Sequence, residues 1–114
     1  MKQSDHLYLS HMLDNAVKAR AKVSAMTKNE FDANEDVQLI LAHLIQIIGE
    51  AAAKVFDTTK NAHPEIPWTD IIGIRHRIVR DYMNVNYDVL WAIATNDLEP
   101  LISHLKTILP PDEQ

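Results

Sequence analysis

The chain has 114 residues, of which 46% are hydrophobic and 24% charged, as expected of one soluble globular domain covering residues 1–114. A net charge of −5 argues against a general nucleic-acid coat protein but leaves room for a local basic patch. The lack of cysteine excludes a disulfide framework and a thiolate metal site, and only two glycines disfavour a β-rich fold.

A reducing compartment follows from the missing cysteines, and we expect the cytoplasm because no stretch resembles a signal peptide. The longest apolar run, residues 39–48, is interrupted by His43 and Gln46 and is too short to cross a bilayer. No membrane association is therefore expected.

Two helices are predicted in the first half of the chain. Ser4 or Asp5 is a suitable cap for the first helix, whose apolar residues recur at helical spacing up to Val23. Residues 27–33 are polar and are interpreted as a connection. Asn34 then caps a second helix, which carries the strongest periodic apolar stripe in the chain.

The second half predicts two more helices after a loop over residues 56–66. Pro67 suits the first turn of the third helix, which runs through an arginine-rich run and is broken by residues 84–86. The fourth begins near Tyr87, is kinked or split near Pro100, and leaves a frayed tail at about 110–114. The fold class is all-α, an up-down four-helix bundle.

The arginine-rich run is the most informative segment, because residues 75–80 hold three arginines and one histidine. On one continuous helix, Arg75 and Tyr82 fall near the middle of a stripe of apolar side chains: Ile71, Ile72, Ile74, Ile78 and Val79. A cation at the centre of a buried face is costly unless it is paired. Arg75 is therefore either held by a buried carboxylate or lies at a seam with a second copy of the chain.

Arg80 follows Arg75 by five positions, which is about 140° around an ideal helix. The two side chains can approach one point only if the helix ends near residue 80 or if two protomers build the site. His76 and Arg80 form an i, i+4 pair that could face one groove. Arg77 is interpreted as solvated, with Asp81 nearby.

The other polar candidates are weaker. Glu50 lies opposite the apolar stripe of the second helix, so it is exposed or interfacial. The remaining histidines are scattered, with no spacing typical of a metal site, and no conventional nucleotide-binding or nucleophile motif is present. We expect no metal and no cofactor.

Several segments together resemble the HepT-like toxins of the HEPN superfamily, which belong to type VII toxin–antitoxin modules. The resemblance spans roughly residues 5–108 and is most specific in the second half: IGEAA (48–52), PEIPW (64–68), IIGIR (71–75), DY (81–82), VNY (85–87), VLW (89–91) and NDLEPL (96–101). It implies a small, usually dimeric, all-helical endoribonuclease that needs no metal and acts on RNA such as tRNA.

The resemblance also implies residue roles and a partner. The family motif is arginine, four variable residues, histidine, one residue and tyrosine, with arginine and histidine of both protomers lining a cleft at the dimer seam. By position the arginine is Arg75, and the tyrosine that a minimal nucleotidyltransferase antitoxin modifies with AMP is Tyr82. Glu50 and Asp81 are expected to support this site or its interface.

Arg80 departs from the motif, because it occupies the histidine position. Imidazole exchanges a proton near neutral pH, whereas a guanidinium with a pKa above ~12 does not. Arg80 could still bind phosphate and stabilise the transition state, and His76, one turn earlier, is a possible substitute base. We therefore predict a catalytically impaired toxin, whether Arg80 was introduced to let host cells survive or belongs to a natural variant.

The alternative is a non-catalytic protein that binds and regulates a nucleotidyltransferase through the arginine cluster. A bundle with incidental charges is a third possibility, and it predicts that Arg75→Met is stabilising and functionally silent.

Overall fold

A computed structural model describes residues 2–81 and 84–111. Its elements in chain order are α1 Gln3–Val23, α2 Lys28–Asp32, α3 Glu35–Lys54, α4 Asp57–Ala62, α5 Trp68–Ile72, α6 Ile74–Ile78, β1 Val79–Asp81, β2 Asn84–Val85, α7 Tyr87–Ala92, a π-helical turn Ile93–Asp97 and α8 Leu98–Ile108. The predicted all-α class is confirmed, since the described residues contain only one short two-stranded ribbon. Residues 112–114 of the predicted tail lie outside the described part.

The core forms between the long helices. α1 packs mainly on α3 and also on α8, while α5 and α6 pack against α3. The largest fully buried side chains lie on α1, α2, α3, α6, α7, α8, the π-helical turn and, for Ile66, the connection between α4 and α5: Leu9, Met12, Phe31, Leu41, Ile45, Ile48, Ile66, Ile78, Leu90, Ile93, Leu98 and Leu105. By length and mean hydropathy α3 would suffice to cross a membrane, but it is the central helix of this core and 39% of the relevant window is buried.

The predicted cap Asn34 is correct, and Asn86 is a second cap, which was not predicted from the sequence. Asn34 Oδ1 accepts a hydrogen bond from the Val37 amide at 3.1 Å, and α3 starts at the next residue. Asn86 does the same for α7, accepting from the Val89 amide at 3.2 Å. Such caps satisfy amides that have no partner within the helix, so local sequence is enough to locate them.

The predicted cap of α1 is wrong. The helix begins at Gln3, with no capping hydrogen bond from the side chain of Lys2. Asp5 is instead fully buried, where its carboxylate accepts from the Phe56 amide at 3.1 Å and from the Thr59 hydroxyl at 2.6 Å. The carboxylate thus caps α4 from a distant part of the chain, in a segment predicted to be a loop.

We expect Thr59→Val to lower the free energy of unfolding by about 1.5 kcal/mol, because it removes one hydrogen bond to a buried carboxylate while keeping the side-chain volume. Urea denaturation measures the change. Thr58→Val is the matched control, because Thr58 is exposed and its replacement should lower the free energy of unfolding much less. Equal losses in the two variants would contradict a stabilising role for the buried hydroxyl.

Residues 27–33 also contain more structure than predicted. Thr27 and Glu30 form a reciprocal capping box that starts α2, with Thr27 Oγ1 accepting from the Glu30 amide at 3.1 Å and Glu30 Oε1 from the Thr27 amide at 2.9 Å. The short helix buries Phe31 completely, and its ring lies 5.1 Å from that of Trp91 in α7. Tertiary packing therefore stabilises a helix that is too short to persist by itself.

The single third helix predicted from Pro67 to residue 84 does not exist. A turn at Gly73 separates α5 from α6, and the chain leaves α6 after Ile78 to form β1. In the ribbon Val79 pairs with Val85 and Asp81 with Asn84, and the Asn86 amide donates to the Ile78 carbonyl at 2.6 Å. Glycine weakens the helix at position 73, while β-branched Val79 and Val85 favour extended backbone.

The fourth predicted helix contains the π-helical turn Ile93–Asp97, just ahead of Pro100. Proline has no N–H to donate to the carbonyl four residues earlier, here that of Asn96, and its ring crowds that carbonyl. A wider turn relieves this crowding, and the Thr95 hydroxyl donates to the Trp91 carbonyl at 2.8 Å. The irregularity that Pro100 causes is therefore a widened turn upstream of the proline.

Candidate functional site

Arg75 is exposed, whereas one continuous helix would place it near the middle of an apolar stripe. Because α6 is a separate helix of five residues, its own core contacts come from Ile74 and Ile78, which are 4% and 0% exposed. Within residues 2–81 and 84–111 the Arg75 side chain makes no hydrogen bond or ion pair. In the described part of the chain no buried carboxylate holds this guanidinium, which is exposed and therefore available to an anion.

Arg80 lies on β1, beyond the end of α6, and is also exposed. The helix therefore ends near residue 80, which was one of the two conditions for bringing Arg75 and Arg80 toward one point. His76 is exposed on α6, but it does not form a helical i, i+4 pair with Arg80, because the helix stops at Ile78. The side chains of His76 and Arg80 make no hydrogen bond or ion pair within the described residues.

The surroundings of Arg80 include a charged cluster that the sequence did not predict. Lys28 Nζ lies 2.7 Å from Asp88 Oδ1 and 2.7 Å from Asp32 Oδ1, which ties α2 to the first turn of α7. The hydrogen bond from Lys28, and then its charge, lowers the pKa of Asp88, and the charge of Arg80 acts in the same direction. Hydrogen bonds to Asp32 and Asp88 raise the pKa of Lys28. Sixty positions separate Lys28 from Asp88, so no local pattern could have indicated this ion pair.

Arg77 and Asp81 have partners other than each other. Arg77 Nη2 lies 3.4 Å from Asp97 Oδ2, at the end of the π-helical turn, and both side chains are about half exposed. Asp81 Oδ1 accepts from Asn84 Nδ2 at 2.8 Å, across the ribbon. Asp81 therefore acts on the geometry of the ribbon next to position 82, and Arg77, which is exposed as predicted, also pairs with Asp97.

Glu50 is exposed on α3, and its neighbour Gly49 marks the point where α3 meets the arginine-bearing segment. A Cβ at Gly49 would lie 2.8 Å from the Ile71 carbonyl oxygen and 3.0 Å from Ile74 Cγ2. Only glycine allows α5 and α6 to approach α3 this closely. The glycine therefore sets the position of α6 and, with it, of Arg75.

The two remaining sequence predictions concern Tyr82 and metal binding. Tyr82, the predicted AMP acceptor, lies outside the described residues. Over residues 2–81 and 84–111, no group of three or more histidine, aspartate or glutamate side chains has an arrangement that could hold a metal ion.

The fold and this site together define a class: small all-α proteins that present two solvated arginines where a short helix passes into a ribbon. The chain belongs to the ribonuclease HepT-like family, whose model matches residues 12–108.

Three curated relatives cover most of the chain. A protein named as a probable ribonuclease HepT from Thermococcus cleftensis is 27% identical over 101 residues, covering 89% of this chain and 92% of the relative. A candidate RNase of Caldanaerobacter subterraneus subsp. tengcongensis is 24% identical, covering 93% and 95%. A candidate RNase of Methanocaldococcus jannaschii is 24% identical, covering 95% and 89%. No solved structure matches the chain significantly.

Proposed function

We propose that this chain is the toxin component of a cytoplasmic toxin–antitoxin module, a metal-independent endoribonuclease scaffold that binds RNA, with tRNA as the expected substrate. The observation that carries the proposal is that Arg75 and Arg80 are both exposed and make no hydrogen bond or ion pair within the described residues. Solvated guanidinium groups suit phosphate binding, because each presents several N–H donors in a fixed planar geometry.

The same residues predict that catalysis by this chain is weak. Arg75 and Arg80 can bind the scissile phosphate and stabilise the charge that develops in the transition state. Neither can accept the proton of an attacking hydroxyl, since guanidinium stays protonated. His76 is the substitute base in this proposal, because its imidazole is exposed on the same short helix as Arg75. Comparing RNA cleavage by this chain and by the Arg80→His variant tests whether the missing imidazole at position 80 limits catalysis.

We further propose that the active unit is a homodimer whose seam includes the α5–α6 segment and Glu50. Ile72 supports this, because it is a large apolar side chain that is 39% exposed three positions before Arg75. The mass of the protein in solution at micromolar concentration should equal two chains. Ile72→Glu should lower it to one chain, whereas Leu7→Glu, at another exposed apolar residue on α1, should leave it unchanged. A single-chain mass for the unmodified protein would contradict the dimer.

Regulation is proposed to occur at Tyr82 by AMP transfer from a minimal nucleotidyltransferase antitoxin. Co-expression with that enzyme should add adenylyl mass to the peptide that contains Tyr82, as measured by tandem mass spectrometry. Tyr82→Phe should abolish the adduct and Tyr87→Phe should retain it. An adduct of undiminished yield in Tyr82→Phe would assign the modification to another residue.

The alternative function is non-catalytic binding and regulation of such a nucleotidyltransferase. Arg80 at the histidine position favours it, because a guanidinium binds phosphate groups of a nucleotide without cleaving RNA. Tight binding of the transferase together with an Arg80→His variant that does not cut RNA would establish this function instead.

A further inference from the structure

A groove lies between α6 and α8 on the side of α6 away from Arg75. It encloses about 380 Å³, and at its bottom lie Ile71, Ile74, Ile93, Leu98 and Leu101. Arg77 borders it, and Arg75 lies two residues earlier, about 200° around the helix. A molecule in this groove, which we call the α6–α8 groove, would therefore leave the proposed RNA-binding side of α6 uncovered.

The rim of the α6–α8 groove is acidic. Glu65, Asp70 and Asp97 contribute three carboxylates against the single guanidinium of Arg77, so the rim carries two excess negative charges when His104 is neutral. Asp97 is paired with Arg77 at 3.4 Å and Glu65 lies 3.4 Å from His63 Nδ1. Asp70 makes no side-chain hydrogen bond or ion pair within the described residues and is exposed. Phosphate groups are repelled here, and a cation is attracted.

The π-helical turn is a second feature of this groove. It places Asn96 and Asp97 on the rim, and Asp97 in turn holds Arg77 of α6. π-helical turns occur frequently at functional sites, because they re-aim side chains that a regular helix would point elsewhere. The apolar bottom and the acidic rim are therefore brought together by the irregularity ahead of Pro100.

We propose that the α6–α8 groove docks a protein partner through an apolar segment that carries an arginine or lysine. Such a side chain matches both features, since its aliphatic stem covers apolar surface while its charged head reaches carboxylates at the rim. An arginine can pair with Asp70 or Glu65 through two parallel hydrogen bonds. The proposal goes beyond the RNA-binding function and does not depend on it.

The test uses the full chain, labelled with nitrogen-15, and two capped seven-residue peptides that differ only in two positions. The first carries leucines and two arginines, and the second has glutamates in place of the arginines. We expect the arginine peptide alone to shift the amide signals of Ile74, Asn96 and Asp97. In the double variant Glu65→Gln/Asp70→Asn the affinity for the arginine peptide should fall about tenfold or more. The double variant Asp14→Asn/Glu35→Gln is the control, because it removes the same charge from exposed sites elsewhere, and it should leave the affinity unchanged.

Four results would overturn the proposal. These are equal binding of the glutamate peptide, an equal loss of affinity in the control variant, shifts confined to Arg75 and Arg80, or shifts of the groove signals caused by inorganic phosphate. Dilution without any peptide that changes the signals of Asn96 and Asp97, which lie outside the proposed α5–α6 dimer interface, would show that a second copy of this chain covers the groove, which also contradicts the proposal. Arg75→Ala should abolish RNA binding and leave peptide binding intact, so the two proposals fail separately.

Discussion

Replacing Arg80 by histidine is expected to raise the rate of RNA cleavage by about 10²- to 10⁴-fold, the usual contribution of a positioned general base. The physical reason is proton exchange, which imidazole performs near neutral pH and guanidinium does not. Position 80 is suited to this role because it is exposed on β1, directly beyond the helix that carries Arg75. Cleavage of a tRNA pool by the two purified proteins, followed over time on denaturing gels, measures the change.

The pH dependence of the rate shows whether Arg80→His accelerates proton transfer or only strengthens RNA binding. The rate of Arg80→His should fall as pH drops below about 6.5, where a free imidazole becomes protonated and can no longer accept a proton. Without imidazole at position 80, the parent chain should show this dependence only if His76 acts as the base. His76→Ala in the parent should then abolish any residual activity.

Arg77→His is the matched control, because it introduces a histidine into the same run. Arg77 lies on the opposite side of α6 and is paired with Asp97, so its replacement should give no increase in cleavage. Arg75→Ala should abolish the activity gained by Arg80→His, since phosphate binding is lost. A parent chain that cleaves as fast as Arg80→His would show that the reaction needs no base at position 80.

Gly49→Ala is expected to lower the free energy of unfolding by about 2 kcal/mol and to displace the segment that carries Arg75. The added methyl group would lie 2.8 Å from a backbone oxygen of Ile71, and backbone cannot rotate away as a side chain can. Overpacking of this kind costs up to about 3 kcal/mol, while alanine in a helix interior regains about 1 kcal/mol over glycine. The clash is the larger effect, so the net change is destabilising.

Gly73→Ala gives the comparison from within the same contact region. A Cβ there would lie 3.2 Å from the Thr69 carbonyl oxygen, and the backbone has φ −83°, which any residue adopts. Gly73→Ala should change the free energy of unfolding by no more than about 1 kcal/mol. Thermal unfolding resolves the difference, because 1 kcal/mol corresponds to roughly 4 °C in a domain of this size. If Gly49→Ala is as stable as Gly73→Ala, the close approach at Gly49 does not determine the position of α5 and α6.

Local sequence was a reliable guide where the deciding interactions are local. The cap at Asn34 was predicted correctly, because it bonds an amide three residues away. The prediction from local sequence failed for Asp5, because an aspartate is equally suited to be a helix cap or a buried carboxylate. The choice between them depends on Phe56 and Thr59, more than fifty positions away.

The candidate site was predicted in its residues and only partly in its geometry. Extending one helix through Gly73 and Val79 placed Arg75 in a buried stripe, whereas the two breaks leave it solvated. The same breaks removed the expected helical pairing of His76 with Arg80. Tyr82 remains a sequence-based prediction.

By itself the sequence determined the all-α class, the cap of α3 at Asn34 and the presence of an arginine motif with one altered residue, because residue type and short-range spacing encode these directly. Only the tertiary structure decided which arginines are solvated, that Arg77 pairs with Asp97, and that Lys28 pairs with Asp88, on which the charge of Arg80 also acts. These features arise where segments distant in sequence are packed together, and the close approach at Gly49 decides where α6 lies. The free energy of that packing overrides local helix propensity, so these contacts cannot be predicted from the pattern of any one segment.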